Sequence, residues 1–410
     1  MSKTVLLYGA TGFSGRLIAA LACDRWRDST ELFRLELAGR SGAELKALAG
    51  ELGVRFRVFA LDEQIDVERG LEGVFAVINA AGPFDFTAEP LAKAALRAGA
   101  HYVDIAGETD VYKCLDDLGY SARQRHLVLV CGAGYTATVS DVLLNAALEL
   151  LSGVHKYREL GAIRIALSRV RHTSRGSLRT SWRAVREQVL VVRDGGLAKQ
   201  SPKDRPNLHN YRVTHVPVGH LERTFDFAGS EFTQDASERK RKPRRIACAV
   251  NLIDTLTARL TAARYMDRVE RIESYLEVSG VGRLALQWGA LAAPLLSIPG
   301  ARALAQRQFD RLPEGPSEAE REEDRHCVVL EIDDIFGQTV IDWRMETPNP
   351  YDFTATCALW VVERLCGVLY PGWRTPAEVL GLNYVKVLGL TQGTLFEEGC
   401  KLIQRKGAWP

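Results

Sequence analysis

The sequence predicts an α/β protein: an N-terminal doubly wound parallel sheet of the Rossmann type followed by a second domain of α+β texture. Three observations carry this expectation. Short aliphatic or β-branched runs alternate with amphipathic stretches as far as about residue 141, the pattern of strands buried on both faces by crossover helices. A glycine-rich turn joins the first run to the first helical stretch. After about residue 150 the rhythm loosens, and strand-like runs are separated by long polar or helical insertions.

The runs in the first part are residues 4–9, 35–39, 55–60, 75–80, 102–105 and 127–131. Between the first two, Phe13, Leu17, Ile18 and Leu21 share one helical face; later Pro90, Leu91, Ala94, Ala95 and Leu96 open another helix, with the proline in its first turn. Strands with helical crossovers of this kind make a nucleotide-binding sheet. In the second part, residues 163–168, 213–218, 271–278 and 326–332 read as strands. The charged stretches 237–245 and 313–325 read as loops or exposed helix starts. Residues 355–369 are helical by periodicity, and 371–376 form a turn before a last capped helix. The expected domain bounds are therefore 1–147, 148–347 and 348–410, the last helical, and the oligomeric state stays open, a homodimer being one option.

Composition excludes several classes. The chain has 410 residues, 46% hydrophobic and 25% charged, as expected of an ordinary folded protein. With 53 basic against 51 acidic residues, the net charge of +2 offers no general attraction to nucleic acid. The eight cysteines form no C-x-x-C pair and have no histidine at ligand spacing, so neither a disulfide scaffold nor a metal site is expected. Met1-Ser2-Lys3 runs directly into a strand, which leaves no room for a signal peptide and predicts a cytoplasmic protein. Residues 284–301 are uncharged but contain Pro294 and Pro299, which favours a buried helical hairpin over peripheral membrane contact.

The sharpest local signal is Gly9-Ala10-Thr11-Gly12-Phe13-Ser14-Gly15. Positions without side chains let a strand turn abruptly into a helix and let the backbone approach a diphosphate, whose charge meets amide groups at the helix N-terminus. The end of the next strand distinguishes the two nicotinamide dinucleotides. A carboxylate there bonds the ribose 2′-hydroxyl of NAD, whereas a guanidinium accommodates a 2′-phosphate. Here the strand ends Ala38-Gly39-Arg40-Ser41, which favours NADP, with Arg40 on the phosphate and Ser41 adding a hydrogen bond. Asp62, after the third strand, either meets the adenine or caps a turn.

At the fourth strand's end, Asn79-Ala80-Ala81-Gly82-Pro83-Phe84 presents small residues and a rigid turn; the sixth ends Cys131-Gly132-Ala133-Gly134-Tyr135. Both lie at the carboxyl edge where such folds bind ligands. Ala80, Ala81, Gly82, Pro83 and Gly132 are thus expected along the cofactor, and Phe84 against substrate.

These motifs, with Tyr102-Val103-Asp104-Ile105-Ala106-Gly107-Glu108, stand in an order that resembles the saccharopine dehydrogenase-like oxidoreductases. Gly315-Pro316-Ser317-Glu318-Ala319-Glu320-Arg321, Tyr351-Asp352-Phe353-Thr354-Ala355 and Pro371-Gly372-Trp373-Arg374-Thr375-Pro376 resemble the branch containing trans-acting enoyl reductases. The resemblance implies an NADPH-dependent reductase with an NADP-binding Rossmann domain at 1–147, a mixed-sheet α+β domain for substrate and oligomer contacts at 148–347, and a C-terminal helical segment at 348–410 that packs back on the first domain. Where many members read G-F-D-S-x-P-S-D, this chain reads Gly134-Tyr135-Thr136-Ala137-Thr138-Val139-Ser140-Asp141, without the aspartate and the proline.

Reduction needs a hydride and a proton. Tyr135 and His172 are the expected proton donors, while Asp104 and Glu108 are expected to orient substrate or bond the cofactor amide. The segment from Arg171 to Arg186 resembles the family's S-G-G-T helix start with added arginines. A helix from Gly176 would align Arg179, Arg183 and Arg186, and Arg175 and Arg179 are expected against an anionic group of substrate. Two chemistries fit, reduction of a C=C (enoyl) or of a C=N (imine) bond in a small or carrier-bound lipid or secondary metabolite. A non-catalytic NADP-binding partner in a biosynthetic complex is the alternative from another class.

Overall fold

The computed structural model describes residues 2–27, 32–154, 157–178, 189–196, 213–216, 221–227, 245–250, 252–279, 311–367, 370–381 and 401–407. The chain divides into two compact units, Met1–Thr138 with Pro350–Leu380, and Val139–Asn349 with Gly381–Pro410.

The first unit opens with β1 (Lys3–Tyr8), α1 (Phe13–Arg25), β2 (Phe33–Gly39), α2 (Gly42–Leu52) and β3 (Arg55–Val58). It continues through α3 (Gln64–Gly70), β4 (Ala76–Asn79), α4 (Phe84–Ala98), β5 (His101–Asp104), α5 (Thr109–Gln124) and β6 (Val128–Val130). Each strand falls within or beside its expected run, but α4 does not open at Pro90: it starts at Phe84 after Pro83, and Pro90 lies inside it. The middles of the central strands are apolar because helices cover both faces: Val5, Leu6 and Leu7 of β1 and Ala76, Val77 and Ile78 of β4 are fully buried. Helix α6 (Tyr135–Ser152) then carries the chain from the first unit into the second.

The second unit contains β7 (Glu159–Leu167), β8 (Val189–Gly196), β9 (Val213–Val216), β10 (Glu222–Phe225), β11 (Arg245–Ala249), α7 (Ile253–Tyr265), β12 (Arg268–Glu277), α8 (Glu318–Glu323), β13 (His326–Asp334) and β14 (Thr339–Thr347). Sequence reading anticipates β7, β9, β12 and β13 but not β8, β10, β11 or β14. Arg245, expected in a loop, begins β11 and pairs with Glu277 at 3.0 Å. The acidic stretch at 313–325 does start an exposed helix: the Ser317 side chain accepts from the Glu320 N–H, and the Glu320 side chain accepts from the Ser317 N–H, closing a capping box.

The C-terminal segment corrects an expectation. After α9 (Pro350–Arg364), residues read as a turn form β15 (Gly372–Arg374), which pairs in parallel with β6, followed by α10 (Pro376–Leu380). These elements belong to the first unit. The last strand, β16 (Lys401–Gly407), pairs instead with β14 in the second. The segment 348–410 therefore does not return to the first sheet as one block. Parallel pairing to β6 explains the miss, because a three-residue strand between prolines has no periodicity to read.

The first sheet runs β15-β6-β5-β4-β1-β2-β3, parallel throughout. The order reverses between β1 and β4, the switch point at which open α/β sheets bind ligands. The second sheet is mixed, β10-β11-β12-β7-β13-β14-β16, with β8 and β9 added at β12. Among the described residues no helix is long and apolar enough to cross a membrane, and no cluster of side chains suits a metal. The stretches at 179–188, 237–244 and 284–301 lie outside the described residues.

Candidate functional site

The turn after β1 is shaped by backbone crowding. Gly9 has φ +83°, and a Cβ there would lie 2.6 Å from the Ala81 nitrogen, so the turn rests directly on the end of β4. A Cβ on Gly15 would come 2.2 Å from the Gly9 carbonyl oxygen, which makes this glycine the packing contact between α1 and the turn. Gly12 faces outward: a Cβ there would meet only the Gly9 oxygen, at 3.4 Å.

Gly12 caps α1 without a side-chain hydrogen bond, and no acidic residue stands in the first turn. The helix therefore presents an uncompensated N-terminus beside an open surface, the arrangement that receives phosphate. Ala10 is buried beneath the turn, whereas Thr11 and Ser14 are half-buried at its rim. Phe13 turns its ring edge-on to Tyr351 of α9, with centroids 5.2 Å apart, so this motif residue anchors α9 rather than lining the cradle.

Arg40 is exposed at the end of β2, and Ser41 caps α2 without spending its hydroxyl on the helix. Asp62 is exposed on the turn beyond β3. Burial raises the Tyr8 hydroxyl's pKa, the Arg40 charge lowers it and the Asp62 charge raises it again, which locates all three at one edge. The residues present fit NADP: a glycine cradle, a helix start without a side-chain cap and an exposed guanidinium where the 2′-phosphate would lie.

The ends of β4, β5 and β6 are tied by a buried hydrogen-bond chain. Asn79 Nδ2 donates to Thr87 Oγ1 at 3.2 Å and to the Tyr102 hydroxyl at 3.0 Å, while its Oδ1 accepts from the Ala81 N–H at 3.0 Å. Thr87 in turn donates to the Ala81 carbonyl at 2.6 Å. The Tyr102 hydroxyl donates to Asp104 Oδ2 at 3.0 Å. Asp104 Oδ1 accepts from Ala106 N–H at 3.0 Å and Gly132 N–H at 2.9 Å. These bonds fix Ala80, Ala81 and the cis Gly82-Pro83 turn beside Gly132 at the carboxyl edge. Asn79, Thr87 and Tyr102 escaped sequence reading as site supports; an asparagine ending an apolar strand was the available signal.

The expected chemistry residues fare differently. Asp104 is fully buried with both oxygens occupied, so it is a wall-building group and not a substrate contact. Tyr135 is 4% exposed at the start of α6. Its ring stands edge-on to Phe353 and its N–H donates to Thr354 Oγ1 at 3.0 Å, the geometry of an apolar wall.

In the second unit His172 is a surface residue with Nδ1 3.2 Å from Glu320, the acid that closes the α8 capping box. Arg175 opens a helical turn there, its N–H donating to the Glu314 carbonyl at 3.0 Å. Arg179 lies outside the described residues. Phe84 is half-buried and Phe86 is 68% exposed on the first turn of α4, and Glu108 is half-buried on the loop between β5 and α5.

Residues 5–138 match the saccharopine dehydrogenase NADP-binding domain. The trans-acting enoyl reductase of Mycobacterium tuberculosis is 29% identical over 138 residues, which are 31% of this chain and 32% of that protein. A lipid droplet localized protein of Caenorhabditis elegans is 26% identical over 151 residues, 34% and 35% of the respective chains. The chain thus spans about a third of the length of the curated relatives it matches. Apo saccharopine dehydrogenase (L-Glu forming) from Saccharomyces cerevisiae shares the fold over 98% of this chain and 99% of its own, with a TM-score of 0.57 at 13% identity. The glycine turn, the all-parallel sheet and the sequence match agree that residues 5–138 are an NADP-binding domain of the saccharopine dehydrogenase type.

Proposed function

We propose that the chain is an NADPH-dependent reductase of a C=C (enoyl) or C=N (imine) bond in a small or carrier-bound lipid or secondary metabolite. The observation that carries this reading is the carboxyl edge of the first sheet. There the Gly9 turn rests on Ala81, α1 begins without a cap, and Arg40 stands exposed at the end of β2. The name of the mycobacterial relatives supports the enoyl version of the chemistry.

NADPH, when bound, supplies the hydride. The chain's part is to hold and orient. Backbone amides of Phe13, Ser14 and Gly15 would hold the diphosphate, Arg40 and Ser41 would receive the 2′-phosphate, and the small residues at 80–83 and 132 would leave room for a flat ring. Phe84 and Phe86 on α4 offer apolar contact at the same edge.

The test is direct. Purified protein is titrated with NADPH and with NADH, following fluorescence enhancement, and then assayed for NADPH oxidation over a panel of enones, enoyl thioesters and imines. Tighter binding of NADPH and substrate-dependent oxidation are expected. Binding without turnover on any member would replace the reductase with a non-catalytic NADP-binding partner, and no binding of either nucleotide would remove both.

A further inference from the structure

We propose that Glu108 is the proton donor of the reduction, acting from the loop that joins β5 to α5; this rests on the reductase reading above. The loop begins at Asp104, whose side chain is pinned to the Gly132 and Ala106 amides. β5 lies between β4 and β6 in the sheet. Glu108 therefore stands at the carboxyl edge between the 80–84 turn and the 132–135 turn, the cleft that ligands occupy in this architecture.

Asp104, Tyr102 and Cys131 of this edge are unsuited to the task. Asp104 and Tyr102 are fully buried and bonded to each other, and Cys131 is fully buried with its thiol pushed well up by burial and by the Asp104 carboxylate. Glu108 is only half-buried, with Oε2 accepting from the Gly107 N–H at 2.8 Å. Burial raises its pKa, and the carboxylates of Asp85 on α4 and Asp104 on β5 raise it further, against hydrogen bonds from the Gly107 and Glu108 amides. Cys131 beyond β6 faces it as well. A carboxylic acid that holds its proton more tightly than an exposed one, placed between the two turns of this edge, is suited to general-acid work.

The step balances. Hydride addition to one end of the double bond leaves an electron pair conjugated to the carbonyl, or on the imine nitrogen. The Glu108 O–H bond breaks as its proton forms the new C–H or N–H bond, and the carboxylate regains a proton from water.

The experiment compares the full-length protein with its Glu108→Gln and Asp85→Asn variants. Each is tested for NADPH binding by fluorescence, for oxidation of NADPH with cyclohex-2-enone and with a crotonyl thioester across pH, and by infrared titration of carboxylic-acid C=O bands with NADP bound. Glu108→Gln is expected to bind NADPH like the parent, to lose about 100-fold or more in kcat, and to lose both the high-pH fall in rate and one acid C=O band. Asp85→Asn, by removing a like charge, should move that fall and that band's titration to lower pH. A Glu108→Gln rate within threefold of the parent with an unchanged pH profile would overturn the assignment, as would loss of NADPH binding. If the parent binds NADPH yet oxidises it with no member of the wider enone, thioester and imine panel, the reductase reading itself fails and takes the proton donor with it.

Discussion

Gly9 and Ala81 approach so closely that a single methyl group on Gly9 would sit 2.6 Å from the Ala81 backbone nitrogen, with the glycine at φ +83°. The strand-to-helix turn and the β4 edge are therefore one object. Gly9→Ala must strain the backbone and push the two apart, and the expected loss is on the order of 2–4 kcal/mol, since the obstacle is main chain and not a movable side chain. Urea unfolding measures the stability and fluorescence measures NADPH binding. An unchanged unfolding midpoint with unchanged binding would show that the turn yields.

Arg40 discriminates by charge. Exposed at the end of β2 beside an unspent Ser41 hydroxyl, it can fork onto a 2′-phosphate that NADH lacks. Arg40→Asp is expected to weaken NADPH by about 10- to 100-fold, the value of charge-assisted hydrogen bonds replaced by repulsion, and to change NADH by less than about threefold. Parallel fluorescence titrations check this, and equal losses for the two nucleotides would remove Arg40 from the phosphate site.

How much of this was legible depends on the range of the interaction. The first sheet was readable because buried parallel strands are written as local apolar runs and the glycine turn as local spacing. What sequence could not show were non-local pairings. β15 is a strand only because Gly372, Trp373 and Arg374 find β6, some 240 residues earlier. Asp104 reads as a chemical group until Tyr102, Ala106 and Gly132 are seen converging on it. His172 looks poised until Glu320 is found 3.2 Å away on the surface. Sequence offers Glu108 for orienting substrate or bonding the cofactor amide; its place on the loop between the 80–84 and 132–135 turns, beside Asp85 and Asp104, is what points to a proton.

The Asp104 network predicts a structural phenotype. Asp104→Asn keeps one acceptor oxygen for the Ala106 and Gly132 amides, but it replaces the acceptor of the Tyr102 hydroxyl with a donor. The Tyr102 proton is then stranded in a fully buried site, at about 1–3 kcal/mol. Chemical denaturation should register that loss. Tyr102→Phe removes the stranded proton, so in the double variant the cost should shrink; additive losses would show that the two side chains are not coupled.

In the second unit Asp254 gives a stability that depends on pH with an unusual sign. It is fully buried on α7, accepts a hydrogen bond from Ser140 of α6 at 2.5 Å through Oδ1, and its Oδ2 has no hydrogen-bond partner among the described residues. Burial pushes its carboxyl from 3.8 up to about 6. A folded-state value above the unfolded one means the native protein holds the proton more tightly. Stability from this group is therefore complete at or below about pH 4 and is lost as pH rises toward about 6, by roughly 3 kcal/mol. Asparagine retains an acceptor for Ser140 and cannot ionise. Asp254→Asn should thus be the more stable protein at pH 7–8, with the advantage fading as the pH is lowered toward 4. Melting temperatures of both proteins across that range decide the matter: a difference that stays constant with pH would mean that Asp254 does not change its charge there.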